Sequence, residues 1–119
     1  MFLQPNVFNI YSDAAKTLGY GAYFGKSRFS IKWPSDHWKH ENITLLELIP
    51  IVVALHTWGG DLSNGVLKIH TDNEALHFVI NKQSSKEEPV KEWIRKLVSL
   101  TLKYNILIKA FFVEGFNHF

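Results

Sequence analysis

At 119 residues, with 46% hydrophobic side chains, nine Phe, four Trp and four Tyr, the chain is sized for a single domain, 1–119, whose one core buries roughly two-thirds of the unfolded surface. Thirteen Lys and Arg against eleven Asp and Glu leave a net charge of +2, too weak for whole-chain electrostatics to announce a nucleic-acid partner. The absence of Cys excludes a disulfide scaffold and thiolate zinc sites, and with no basic leader and no apolar run expected to reach the ~20 residues that span a bilayer, a soluble intracellular protein with no membrane partner is expected.

In chain order, Val7–Ser12 is rich in β-formers and predicts the first strand, closed by Asp13 and followed by a turn-compatible stretch to Gly19. Gly19–Phe24 and Arg28–Trp33 flank Gly25-Lys26-Ser27, which predicts a hairpin and so three consecutive antiparallel strands. Loop chemistry follows at 34–37. From Leu45 to Trp58 the chain is apolar almost all round, as in a helix buried against a sheet. Thr44 with Glu47 three residues on predicts a capping box, and Gly59-Gly60 a stop. Pro50 forfeits the bond to the Leu46 carbonyl, at about 3 kcal/mol in a helix interior, and is therefore expected within the first two turns, with a local kink. Val66–Thr71 predicts a central strand buried on both faces. Asp72 or Asn73 is expected to cap a helix running to Asn81, and a longer helix is expected over Glu88–Tyr104, with Val90, Trp93, Ile94, Leu97 and Thr101 on its apolar face. Ile106–Val113 predicts the last strand. The fold class that follows is α/β, a mixed five-stranded sheet with helices on its faces.

This order makes the tips of the first and fourth strands neighbours. Asp13 and Asp72 then lie side by side, and Glu47 leans over them from the start of the first helix. Three carboxylates within a few ångströms repel one another unless a cation compensates. Hard oxygen donors, with no Cys and no His pair at zinc spacing, select Mg²⁺ or Mn²⁺, and two such ions about 3.5–4 Å apart serve in-line phosphodiester hydrolysis. Taken singly, each acid has a structural use: Asp13 in a turn, Glu47 in the capping box, Asp72 as a helix cap. Their joint placement at element tips favours a site.

The same residues carry a resemblance. Tyr11-Ser12-Asp13-Ala14, then Gly19-Tyr20-Gly21-Ala22, Leu46-Glu47-Leu48 and Thr71-Asp72-Asn73, together with the segment from Ile80 to Lys86 and the stretches Arg95-Lys96-Leu97-Val98 and Tyr104-Asn105-Ile106-Leu107, resemble the ribonuclease H domain of retroelement reverse transcriptases. The likeness is to the DIRS-like, tyrosine-recombinase retrotransposon type, and it runs from about Val7 to Asn117. It implies a ribonuclease H-like sheet and a Mg²⁺-dependent endonuclease that hydrolyses the RNA strand of an RNA·DNA hybrid, leaving 3′-hydroxyl and 5′-phosphate ends. It also implies a reverse transcriptase domain in the same polyprotein as partner. By this resemblance Asp13, Glu47 and Asp72 are the metal-binding catalytic acids, and Asn73 and Asn81 fall near the path of the hybrid, which is read by backbone shape and 2′-hydroxyls. The family's last strand leads into His-Ile-Pro-Gly, an Asn and then Ala-Asp, which supplies a fourth carboxylate. Here Phe112-Val113-Glu114-Gly115 stands at the first place and the fourth acid is expected just past Phe119, so a C-terminally truncated site is expected. Glu114 is not expected to replace it, because strand alternation ties its direction to Phe112.

Two other readings of the same fold follow. One is a non-catalytic tether that only binds nucleic acid. The other is a transposase or integrase, whose last acid would come from Glu87, Glu88 or Glu92 at the start of the late helix. Lys82 and Lys86, with Lys91, Arg95 and Lys96, form the densest basic region and are candidate phosphate contacts; the plain alternative is a solvated face diluted by those same Glu residues. The six His show no zinc spacing, and Trp33, Trp38, Trp58 and Trp93 read as packing rather than base-stacking platforms.

Overall fold

The computed structural model describes residues 6–113. Its elements are β1 (Val7–Ala15), β2 (Gly19–Phe24), β3 (Ser27–Lys32), a 3₁₀ turn (Asp36–His40), α1 (Ile43–Leu62), β4 (Val66–Thr71), α2 (Glu74–Lys82), α3 (Glu88–Tyr104) and β5 (Leu107–Phe112). One sheet runs in the order β3-β2-β1-β4-β5. The hairpin strands pair antiparallel and β1, β4 and β5 pair parallel, so the expected mixed five-stranded sheet is the observed one.

Strand β1 divides its partners. Val7–Ile10 pair with Val66–Ile69 of β4, whereas Tyr11–Ala15 pair with Tyr23–Gly19 of β2. That second ladder carries β1 past Ser12, the end expected from sequence, so Asp13 lies inside the strand. Continued along the chain, the β1–β4 register sets Asp13 level with Asp72, although no ladder bonds join the strands there. The hairpin between β2 and β3 closes with the pair Phe24–Ser27, and Gly25 adopts φ +59° at the turn, a conformation that costs Gly nothing.

Helix α1 begins at Ile43 because Asn42 caps it: Asn42 Oδ1 accepts from Thr44 N at 2.7 Å. The capping box expected from Thr44 and Glu47 is therefore not formed, and Thr44 is buried inside the first turn. Gly59-Gly60 does not stop the helix either. Each Gly costs about 1 kcal/mol against Ala, but continuing to Leu62, which is fully buried, gains roughly 1.5–3 kcal/mol. Pro50 is buried near the end of the second turn. By length and composition this 20-residue helix, of hydropathy 1.5, suffices to cross a membrane, which corrects the expectation that no such run exists. It is 67% buried within the fold.

The core is one cluster in which Leu48, Ile51 and Leu55 of α1 meet Ile10, Leu67, Ile69 and Ile108 of the sheet and Leu76, Ile80, Ile94 and Leu97 of α2 and α3. Helix α3 follows its predicted bounds, and its buried positions Val90, Ile94, Leu97 and Thr101 keep the helical period. Strand β4 is not buried on both faces as expected. Leu67, Ile69 and Thr71 are buried while Val66, Lys68 and His70 are half-exposed, because only the former face the helical layer. On the other face Tyr23, Tyr11, His70 and Phe111 stack side by side across four strands. Glu114, discussed above as a substitute acid, lies outside the described residues.

Candidate active site

The sheet topology brings the three predicted acids to one place. Asp13 comes from the late half of β1, Asp72 follows the last residue of β4, and Glu47 sits on the second turn of α1. Together with Ser12, His70, Thr71 and Leu76 they line one narrow cleft. The space in it is about 10 Å³, near the minimum that holds one water. Asp13 and Asp72 are exposed and Glu47 is half-buried.

Helix capping decides what each carboxylate is free to do. Between the two candidates for the α2 cap, Asn73 takes the role, its Oδ1 accepting from Leu76 N at 3.0 Å. Thr71 Oγ1 accepts from Asn73 N at 3.0 Å, so the turn is held at both ends and Asp72 is left to face the cleft. Asn73 Nδ2 donates to Glu47 Oε2 at 2.8 Å and reaches Thr44 Oγ1 at 3.5 Å. Asn73 therefore links the start of α2 to the acid on α1. Asp13 Oδ1 accepts from Ala14 N at 2.9 Å.

Burial pushes the Glu47 carboxyl above the usual carboxylate range; the Asn73 hydrogen bond pulls it back, and the charges of Asp72 and Asp13 push it up again. The charges of Asp72 and Asp13 thus reach the Glu47 carboxyl. Among the described residues, no group of three or more His, Cys, Asp or Glu side chains is placed to hold a metal ion. The oxygen-only donor set has the chemistry of a hard divalent ion. Of the competing Glu residues, none lines the cleft. Glu87 instead accepts from Asn42 Nδ2, and Glu88 pairs with Lys91 at 3.8 Å, so the arrangement required by the integrase reading is absent among the described residues.

The predicted nucleic-acid contacts are more scattered. Asn81 is exposed but its amide is engaged twice with β5, donating to Ala110 O at 3.0 Å and accepting from Ala110 N at 2.8 Å. Lys82 lies over the Phe78 ring at 5.5 Å, Lys96 over Trp93 at 4.4 Å, and Lys86 is exposed in the loop before α3. Sequence reasoning missed the Asn73–Glu47 link. Its one local signal was Asn73 itself, three residues before the buried Leu76.

No family profile and no curated protein matches this chain. Solved structures do. Ribonuclease H1 from the halophilic archaeon Halobacterium salinarum superposes with a TM-score of 0.64 at 10% identity, over 92% of this chain and 87% of that one. LC11 ribonuclease H1, isolated from compost by a metagenomic approach, gives 0.63 at 16% identity over 92% and 86%, and its complex with an RNA/DNA hybrid gives 0.57 at 14% over 89% and 84%. The foamy viral protease-reverse transcriptase, in complex with double-stranded DNA, gives 0.57 at 15% over 97% and 84%. At these identities the likeness is one of fold, and the fold is ribonuclease H-like.

Proposed function

We propose that this chain is a ribonuclease H-type nuclease that hydrolyses the RNA strand of RNA·DNA hybrids, working beside a reverse transcriptase domain of a DIRS-like retroelement. The observation that carries the reading is the convergence of Asp13, Glu47 and Asp72, from three separate elements of a ribonuclease H-like sheet, on one cleft. The hybrid bound by LC11 ribonuclease H1 and the polymerase context of the foamy viral structure support the substrate and the partner.

In this reading Asp13, Glu47 and Asp72 hold Mg²⁺ or Mn²⁺, which when bound would polarise the scissile phosphate and acidify water. The chain's own residues do the rest. Asn73 holds the Glu47 carboxylate through Oε2. Asp13, in the late half of β1, and Asp72, just past β4, are exposed. Lys82 and Lys86 supply phosphate contacts outside the cleft, and recognition of the hybrid rests on shape and 2′-hydroxyls.

The test is incubation of the chain with an end-labelled hybrid in Mg²⁺ or Mn²⁺, beside an Asp72→Asn variant. Cleavage of the RNA strand by the wild type, lost by at least about a hundredfold in the variant, is the result expected of an acid that binds the reacting centre. Equal behaviour of the two proteins would sink the enzyme reading. The second reading, a module that binds hybrid without cutting it, draws on there being no group of three acids or His placed to hold a metal ion among the described residues, and it predicts binding with no product at any metal concentration.

A further inference from the structure

Where β3 leads into the 3₁₀ turn, four rings form a continuous column. Tyr20 meets Trp33 at 4.7 Å between centroids, Trp33 stacks on Trp38 at 5.3 Å and 12°, and Trp38 stacks on His37 at 5.5 Å and 30°. The column is anchored at its inner end. Trp33 Nε1 donates to Ala15 O at 2.6 Å, and Tyr20 pairs across from Ala14, so both inner rings are strapped to the stretch of β1 that carries Asp13. At its outer end the 3₁₀ turn Asp36–His40 has no buried residue and leads directly to Asn42, the cap of the helix that carries Glu47. A trough of about 690 Å³ over the β1–β2–β3 part of the sheet is lined by Asp13 and Tyr20 among others.

Packing against the core accounts for Tyr20, Trp33 and the inner part of Trp38, but not for His37. Trp38 is half-exposed and His37 is exposed, an arrangement that leaves aromatic surface in water and gains little burial. The imidazole is nevertheless held in place: its Nδ1 bonds Ser35 Oγ, which leaves Nε2 as the ring nitrogen without a partner among the described residues. Lys39 and His40 follow on the same turn. An exposed imidazole fixed at the end of a ring stack, with cations alongside, matches the backbone of a nucleic-acid strand, whose sugars pack on the open ring face while its phosphates accept from Nε2 and Lys.

We infer that the Trp33–Trp38–His37 column is a nucleic-acid contact that seats the sugar–phosphate backbone of the hybrid. The inference rests on the proposed hybrid-binding function and adds to it the residues that seat the strand. It involves neither the acids nor the Lys82–Lys86 region.

Binding of a fluorescein-labelled RNA·DNA hybrid is measured in EDTA, where metal-dependent cutting is silent, for the wild type, His37→Ala, Trp38→Ala and Trp38→Phe. His37→Ala and Trp38→Ala should each weaken binding about tenfold, the order expected for one stacked or phosphate-bonded group, and Trp38→Phe should restore most of it. The His37→Ala loss should shrink as salt is raised, since a phosphate contact releases counterions. Trp38→Ala touches the core edge; if it fails to fold, the exposed His37→Ala decides the matter alone. Wild-type binding with an unchanged affinity in His37→Ala overturns this inference and leaves the proposed function standing. No wild-type binding to any hybrid overturns the proposed function and this inference with it.

Discussion

Asn73 performs two separable tasks, and substitution can divide them. Its Oδ1 caps α2 through Leu76 N, and its Nδ2 donates to the Glu47 carboxylate. Loss of an Asn cap costs about 1 kcal/mol. Loss of a hydrogen bond to a charged acceptor costs about 1.5–3 kcal/mol, and the lower end applies because half-buried Glu47 retains some contact with water. Asn73→Ser keeps a cap acceptor but removes the donor, so it should destabilise the fold by about 1.5 kcal/mol. Asn73→Ala removes both, for a total of about 2.5 kcal/mol. At about 4 °C per kcal/mol for a chain of this length, the melting temperatures fall by about 6 °C and about 10 °C. Thermal and urea denaturation by circular dichroism at pH 7 measures both. The Ser variant's deficit should narrow as pH falls through the raised folded value of Glu47, since a protonated Glu47 needs no donor as strongly. A Ser variant within about 0.3 kcal/mol of wild type, below the usual scatter of additive sites, would refute the Glu47 link, and an Ala variant no worse than the Ser variant would refute the cap.

Glu47→Gln should be more stable than wild type at pH 7 without divalent ions. The folded carboxyl is raised above its ordinary value, so the folded state holds its proton to higher pH than the unfolded chain does. Stability is fullest below about pH 4.3, the ordinary Glu value, and declines as pH rises through the raised folded value; the Gln variant should not show this decline. A Gln variant that is less stable at pH 7, or whose difference from wild type is independent of pH, contradicts the reasoning. The two adjacent glycines of α1 should respond with opposite signs. A Cβ on Gly59 would lie 2.2 Å from the Tyr104 ring, whereas one on Gly60 meets nothing within 4 Å. Gly60→Ala should then gain about 0.5–1 kcal/mol, while Gly59→Ala should lose about 1 kcal/mol or more as overpacking outweighs propensity. Chemical denaturation of the pair checks both, and equal shifts would refute the close approach of α1 and α3.

The placement of the three acids on one cleft was legible because each adjoins a periodic segment, and periodicity survives in a single sequence. Leu67, Ile69 and Thr71 alternate as a strand, and Val90, Ile94, Leu97 and Thr101 repeat as a helix. Boundaries were less legible wherever a distant contact overrode local preference. Gly59-Gly60 reads as a stop, but burial of Leu62 carries the helix through it; Thr44 reads as a cap, but Asn42 reaches Thr44 N first. Strand β1 runs to Ala15 because β2 continues to pair with it, and no residue within β1 signals that. The Asn73–Glu47 bond and the ring column join residues from different elements. No spacing rule on one segment reveals either.

The central claim is that Asp13, Glu47 and Asp72 act as one divalent-cation site, and paramagnetic broadening by Mn²⁺ tests it without relying on turnover. Titration of the ¹⁵N-labelled chain should first erase the backbone amide signals around residues 12–14, 47 and 71–73, and Asp13→Asn or Asp72→Asn should abolish that pattern. Broadening that begins elsewhere, at the Glu87–Glu88 end of α3 or around His37 and His40, or an unchanged pattern in the Asn variants, would contradict it.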